Sequence, residues 1–225
     1  MVNNLKTVAF VPMKMSNERL PGKNTKLLGD SIPLYKLVLR TLLRTSRIDK
    51  VYVFCSDSSI ELEDGAIFQS RSEELDSNDT PILDVIKSFA SLVQADVYLL
   101  AHSTAPFLSV KTLERLLSSI LDDGHDSSLT VSPLRDFIWD SDGPLNYNLD
   151  RIPRTQDLPP LFLETTGAYA FKRDVLEKGR RVGLNPALVE VGKIEALDIN
   201  DFEDWLIADS VFRNGFTALP NLDAN

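Results

Sequence analysis

Short apolar runs alternate with stretches whose apolar residues recur at helical spacing, and this alternation constrains the fold more than any other feature of the chain. Thr7 to Pro12, Val51 to Cys55, Asp96 to Ala101 and Ser128 to Ser132 read as buried strands. Between them, Leu34, Leu37, Val38, Leu42 and Leu43 mark one face of a helix over Pro33 to Ser46. A second apolar stripe runs from Ile82 through Val85, Ile86, Phe89 and Leu92 to Val93. Asp79-Thr80-Pro81 reads as its start, with Asp79 or Thr80 as cap and Pro81 in the first turn. Ser109 to Leu121 is a third helix, stopped by Asp-Asp-Gly at 122–124, and Ala66 to Gln69 is a short strand after the Asp64-Gly65 turn. Strand and helix in alternation predict a mostly parallel sheet covered on both faces, with ligands bound beyond the carboxyl ends of the strands. That rule gathers Lys14 to Lys23, Ser56-Asp57 and His102 to Ala105 at one edge.

The rhythm breaks between Pro133 and Pro160, where the chain turns polar and proline-rich. Phe137, Ile138, Trp139 and Tyr147 carry too much apolar surface for a disordered tether, so this stretch reads as a ribbon-and-loop excursion. Leu161 to Phe171 and Ala187 to Val191 are strand-like, and Arg173 to Lys178 is a short helix. Asn200-Asp201 caps a last helix ending near Phe212, and Pro220 to Asn225 reads as a loose tail. A chain of 225 residues without internal repeats fits one domain over 1–225, with the excursion at about 133–160.

The first strand opens into a loop holding Lys14, Arg19 and Lys23, with Lys26 just beyond and Pro21-Gly22 supplying turn geometry. The chain as a whole carries net charge −9, from 33 acidic and 24 basic residues. A cationic cluster on one loop of an acidic protein points to a small, strongly negative ligand. The overall balance argues against general nucleic-acid binding. A strand feeding a turn with free amides and cations suits nucleotide phosphates. No apolar run approaches the roughly 20 residues of a membrane helix, and the opening MVNNLKTVAF shows no secretory pattern. The single cysteine, Cys55, excludes an internal disulfide and fits a reducing cytoplasm. With two histidines, it leaves no basis for a structural zinc site.

Pro12 to Asn24, PMKMSNERLPGKN, resembles the signature loop of the cytidylyltransferases that activate acidic keto-sugars, the CMP-sialic acid and CMP-Kdo synthetases. Further segments resemble that family in the same order: Ser56-Asp57, LDSNDT at 75–80, HSTAPF at 102–107, IPRTQDLP at 152–159, Thr166-Gly167-Ala168 and Asp198-Ile199-Asn200. Together they span residues 7 to about 212. The resemblance implies an α/β fold, a Rossmann-like three-layer sandwich of the nucleotide-diphospho-sugar transferase type, with the excursion as a β-ribbon dimerisation element. It implies transfer of CMP from CTP to an acidic 2-keto-sugar of the sialic acid type, with release of pyrophosphate, in a cytoplasmic homodimer that binds neither nucleic acid nor membrane.

Site roles follow from the same resemblance. Pro12, Met13, Lys14, Arg19, Lys23, Asn24, Asp57 and Thr80 would hold the nucleotide, with Asn24 at the cytosine edge. Lys14 and Lys23 would also stabilise the charge that gathers on the phosphates, and Asp198 is the third catalytic candidate. His102, Thr104, Arg154, Gln156 and Thr166 would meet the acceptor, Arg154 through its carboxylate. Asp198 and Asn200 would hold Mg2+ or another divalent cation, which needs few carboxylates when phosphates and water complete its shell. His102 has two readings, contact with the acceptor or its proton, and a purely loop-shaping role.

The departures from the pattern are Lys14 for an arginine, Glu18 for a lysine, His102 for a glutamine and Asn200 for a second metal carboxylate. Trp139 stands near a position that is lysine in sialic-acid relatives. Glu18 is expected to point outward or pair with Arg19. Two alternatives stay open: cytidylyl transfer to a different acceptor, and nucleotide binding without turnover.

Overall fold

The computed structural model describes residues 5–215. Its centre is a seven-stranded sheet. In chain order the strands are β1 (Thr7–Met13), β4 (Lys50–Cys55), β5 (Ala66–Ser70), β6 (Val97–Ala101), β7 (Ser127–Leu134), β8 (Leu161–Lys172) and β9 (Pro186–Glu190). A separate two-stranded hairpin, β2 (Leu27–Leu28) and β3 (Ile32–Pro33), follows the cationic loop. The spatial order is β5-β4-β1-β6-β8-β7-β9, with β8 antiparallel to both its neighbours and the other pairs parallel. The carboxyl ends of β1, β4, β5, β6, β7 and β9 therefore share one edge, together with the amino end of β8.

The helices are α1 (Leu34–Leu43), α2 (Ile82–Leu92), α3 (Val110–Leu121), α4 (Arg173–Glu177) and α5 (Phe202–Arg213). Alternating residues of β1 serve the two faces of the sheet, as strand geometry demands. Ala9, Val11 and Met13 pack with Val38 and Leu42 of α1 and Leu113 and Leu116 of α3. Val8 and Phe10 face the other way, against Ile86 and Phe89 of α2. There the Phe10 and Phe89 rings stack at 4.1 Å between centroids. A third cluster joins Leu20, Leu28, Leu34 and Phe107 to Ile199, Trp205 and Ala208. By seating α5 against the first loop, it brings Asp198-Ile199-Asn200 beside Lys23.

Helix starts differ from the expectation in one place. Ser109 caps α3, accepting from the Thr112 amide at 3.2 Å, and Asp201 with Asp204 forms a capping box on α5. At α2 neither Asp79 nor Thr80 is the cap. Pro81 occupies that position and no side chain bonds the first turn, which leaves Thr80 free to line a cavity.

Beyond the sheet, β7 and β8 continue as a two-stranded ribbon paired from Val131↔Glu164 to Leu134↔Leu161. Residues 135–160 form the loop between its arms, with isolated bridges at Trp139↔Pro144 and Asn148↔Arg151 and a short 3-10 turn over Thr155–Asp157. Among the described residues no helix is long and apolar enough to cross a membrane. The stretch Pro220 to Asn225, expected to be a loose tail, lies outside the described residues.

Candidate active site

Two adjoining cavities open at the carboxyl edge of the sheet. The first, about 220 Å³, is lined by Pro12, Met13, Lys14, Asn17, Lys23 and Asn24 of the first loop. Arg71, Leu75, Ser77, Asn78 and Thr80 close its far side, and His102, Ser103 and Thr104 its floor. The second, about 330 Å³, is lined by Lys14, Asn17, Glu18, Arg19, Leu20, Lys23 and Asn78. Lys14, Asn17, Lys23 and Asn78 belong to both. The Lys14 ammonium crosses between them to Asn78 and to the Asp76 carbonyl oxygen at 3.2 Å.

Lys14, Arg19, Lys23 and Asn24 of the first loop are each held by a bond to another part of the chain. Lys23 Nζ donates to the Ile199 carbonyl oxygen at 2.8 Å. Burial lowers the Lys23 pKa from its ordinary value, and Asp198 pulls in the opposite direction. Asn24 is buried; its Nδ2 donates to the Lys14 carbonyl at 2.9 Å and its Oδ1 accepts from Ser103 Oγ at 2.8 Å. Asn24 thus ties the cationic loop to the loop after β6, and its amide is largely engaged before any base arrives. Lys26 stays out of both cavities, with its ammonium 5.2 Å from the centre of the Trp205 ring. Glu18 is exposed at the rim of the second cavity, whereas Arg19 turns to Asn200 Oδ1 at 2.8 Å.

Asp198 sits beside this loop with two unlike oxygens. Oδ2 accepts from Thr166 Oγ1 and from Asn200 Nδ2, both at 3.0 Å, while Oδ1 is buried without a partner. Thr166 reaches it because its backbone is left-handed, at φ 60°, where β8 opposite β7 shifts register between Leu129 and Val131. A β-branched residue there is strained, and such strain persists where surrounding contacts over-determine the position. Thr165 and Ala168 supply those contacts, both bonding to Thr130 Oγ1, at 2.7 and 3.2 Å.

His102 lies between these groups. Its amide donates to the Gly167 carbonyl oxygen at 3.0 Å, its ring meets Tyr169 edge-on at 6.4 Å, and its Nε2 is buried with no partner. Burial pushes the imidazole down to about 4; Asp198 opposes the shift, and Arg181 and Lys23 add to it. Arg181 stacks over the Tyr169 ring, 3.9 Å from its centre, and donates to Glu164 at 2.8 Å.

Among the described residues, the buried side-chain polar atoms without a partner are Asn17 Oδ1, Arg71 Nε, His102 Nε2 and Asp198 Oδ1. Native interiors leave few such atoms unpaired. Here all four belong to residues that line the two cavities or stand beside them, which makes this the candidate ligand site.

A family model described as cytidylyltransferase matches residues 8–152. The chain belongs to the cytidylyltransferase family. N-acylneuraminate cytidylyltransferase A of Danio rerio is 27% identical over 221 residues, which cover 92% of this chain and 51% of that protein. The corresponding Oncorhynchus mykiss enzyme is 29% identical, with 94% and 51% covered. The chain thus spans about half the length of these curated relatives. The 3-deoxy-manno-octulosonate cytidylyltransferase of Escherichia coli is 24% identical over 76% of this chain and 74% of its own. A solved structure described as CMP:2-keto-3-deoxy-manno-octonic acid synthetase complexed with CTP superposes with a TM-score of 0.68 at 17% identity. It covers 93% of this chain and 99% of that one, and establishes a shared fold.

In this member of the cytidylyltransferase family the expected residues do not all meet. Pro12, Met13, Lys14, Lys23, Asn24, Thr80, His102 and Thr104 line the first cavity and Arg19 the second, and Thr166, Asp198 and Asn200 join them through hydrogen bonds. Asp57 lines neither cavity. Its carboxylate accepts from the Ser59 amide at 2.8 Å in a local turn, and the Ser59 hydroxyl first and its amide second lower the pKa of Asp57. Arg154 and Gln156 are exposed in the excursion and line neither cavity; Arg154 pairs with Asp157 at 2.7 Å, three residues along.

Arg71 went unread in the sequence, and Asn17, Asp76 and Ser103 lie in segments that were singled out but were given no role of their own. Arg71, nearly fully buried, pairs with Asp76, which also accepts from Ser56 Oγ at 2.6 Å. The signal was present: Arg71 directly follows β5, at the same edge as the first loop.

Proposed function

We propose that the chain transfers CMP from CTP to an acidic 2-keto-sugar and releases pyrophosphate. The unpartnered Asn17, Arg71, His102 and Asp198 atoms around a cation-lined double cavity carry this reading. It is supported by relatives named for cytidylyl transfer to such sugars. The first cavity, with Arg71 and Thr80, suits the cytidine; the second, with Lys14, Arg19 and Lys23, suits the phosphates.

In the reaction the acceptor's anomeric oxygen bonds to the α-phosphorus, and the bond from that phosphorus to the bridging oxygen of the leaving group breaks. Charge accumulates on phosphate oxygens, so the residues' task is positioning and cationic stabilisation. Lys14, a point charge on a flexible stem, exchanges Asn78 for a phosphate oxygen; Lys23 is fixed from the side of Ile199. Neutral His102 offers Nε2 as a hydrogen-bonding group to the acceptor, with Tyr169 and Arg181 behind it. Its low pKa makes it a weak base at neutral pH.

The residues fit a divalent cation, because Asp198 Oδ1 is a buried, unpartnered carboxylate oxygen beside the phosphate cavity. A magnesium ion there would polarise the phosphate and offset its charge.

We further propose that residues 1–225 act as a single nucleotidyltransferase unit in the cytoplasm, paired as a homodimer through the excursion. Exposed Trp139, Leu149, Ile152 and Leu163 favour this, since apolar surface of that extent on a protruding element marks an interface. In a dimer, Arg154 and Gln156 would reach the partner's acceptor cavity.

The decisive assay supplies each of the four ribonucleoside triphosphates with magnesium and a panel of keto-sugar acids, and reads pyrophosphate. Release with CTP alone is expected. Binding of CTP without release across the panel would overturn turnover in favour of a binding role.

A further inference from the structure

Asp198 and Asn200 were both expected to hold the divalent cation, yet their side chains stand in different electrostatic settings. Asp198 Oδ1 is buried and unpartnered, whereas the Asn200 amide is engaged at both ends. Its Nδ2 donates to Asp198 Oδ2 at 3.0 Å, and its Oδ1 accepts from Arg19 Nη2 at 2.8 Å. This orientation is fixed by chemistry: a carboxylate needs the amide's donor and a guanidinium needs its acceptor, so a flipped amide would face like against like at both ends. A cation approaching Asn200 Oδ1 would meet the Arg19 charge on the same oxygen. Among the described residues, no group of three or more His, Cys, Asp or Glu side chains is placed to hold a metal ion.

From this arrangement we infer that the site takes a single divalent cation, on Asp198 Oδ1, and that Arg19 serves as the fixed second positive charge for the leaving pyrophosphate. Two-metal phosphoryl-transfer sites clamp the attacking and leaving oxygens with one ion each. Here Arg19 lines the phosphate cavity with Lys14 and Lys23, so the charge on the leaving side is already built into the chain. A guanidinium presents several donors in one plane and can grip phosphate through two of them. Asn200 is a positioning residue: it joins the arginine to the metal-binding carboxylate, so that the two charges keep their spacing. A neutral amide suits this link, because a carboxylate at 200 would neutralise Arg19.

The inference rests on the CTP reading, and its test separates the two. Mn2+ would be titrated into the protein saturated with the non-hydrolysable α,β-methylene analogue of CTP, and bound Mn2+ counted by electron paramagnetic resonance. Calorimetry would follow the analogue and CMP in parallel. The expected result is one Mn2+ per chain in the wild type and a second in the Arg19→Gln/Asn200→Asp double variant, which exchanges the cation for a carboxylate. Asn200→Ala should weaken the analogue about tenfold or more while CMP, which lacks the leaving phosphates, binds as before; retained CMP binding also shows that the variant is folded. Two Mn2+ in the wild type with the analogue bound would overturn the inference alone. So would Asn200→Ala and CMP affinities that fall together. An analogue that fails to bind at all would overturn the nucleotide reading and this inference with it.

Discussion

The first loop, from Lys14 to Asn24, and the excursion over 135–160 both leave the carboxyl edge of the sheet, and both are polar, yet they are held in opposite ways. Lys14, Arg19, Lys23 and Asn24 bond respectively to the 76–78 segment, to Asn200, to Ile199 and to Ser103, three distant parts of the chain. The excursion bonds mainly to itself. Asp140 serves the amides of Asp142 and Gly143, Asn148 serves Asp150, Arg154 serves Asp157, and Phe137 and Trp139 pack on Tyr147. Long-range bonds fix charges where a phosphate must find them. Local bonds only shape a surface, here one with exposed apolar side chains. On the proposed reading, the nucleotide half of the site is built by one chain, and the excursion's contribution to the acceptor half depends on what covers it.

The comparison is tested hardest at Lys23. Lys23→Ala should lower turnover on the order of 10²–10³-fold, the usual loss when one fixed group facing transition-state charge is removed. The side chain is half-buried and bonds only a carbonyl, so circular dichroism and the melting temperature should stay close to wild type. Near-normal turnover would mean that the tied loop is built for something other than phosphate.

How far the sequence could be read follows the same division. The central strands β1, β4 and β6 were legible because their apolar runs are buried on both faces, a pattern that loops do not imitate. Lys14, Lys23, His102 and Asp198 were legible because strand ends or a family motif pointed to them. Arg71 was not, since a lone arginine after an edge strand looks like a solvated charge until its burial and its Asp76 partner are seen. Asp57 was over-read for the converse reason: the carboxylate at the end of β4 turns to Ser59, and the structural task falls to Asp76, twenty residues downstream of Ser56. Thr166 was placed through a motif, but its left-handed backbone depends on register with β7, which no local pattern encodes. Arg154 failed to meet the cavity because its loop is anchored only to itself.

A middle-sized effect should come from the excursion. Replacing Trp139 with alanine and Ile152 with aspartate removes apolar surface that is more than half exposed, at 55% and 65%, so the single chain should fold unchanged. Sedimentation should show loss of the dimer. KM for the acceptor should rise on the order of tenfold, as truncating interface anchors typically costs 1–2 kcal/mol or more, while CTP affinity stays within about twofold. A fall in CTP affinity of the same size would erase the contrast between the two regions. Retained dimerisation would transfer the interface to another face.

The smallest effect separates the two regions by pH. His102 is held at about 4 in the folded protein by burial, below the roughly 6.5 of an unfolded histidine. Between these values the unfolded chain binds a proton that the folded chain refuses. His102 therefore contributes stability that is fully present above about pH 6.5 and is lost as the pH falls towards 4. The expected loss by pH 5 is about 1–2 kcal/mol. His102→Gln, which keeps polar capacity without an ionising ring, should flatten the melting temperature between pH 7 and 5. The rate profile should also lack a histidine inflection between pH 6 and 8, since the folded imidazole is neutral throughout. An inflection there that vanishes in His102→Gln would show that the bound acceptor raises the imidazole into the range of a working base. In that event proton transfer would belong to the tied half of the site as well.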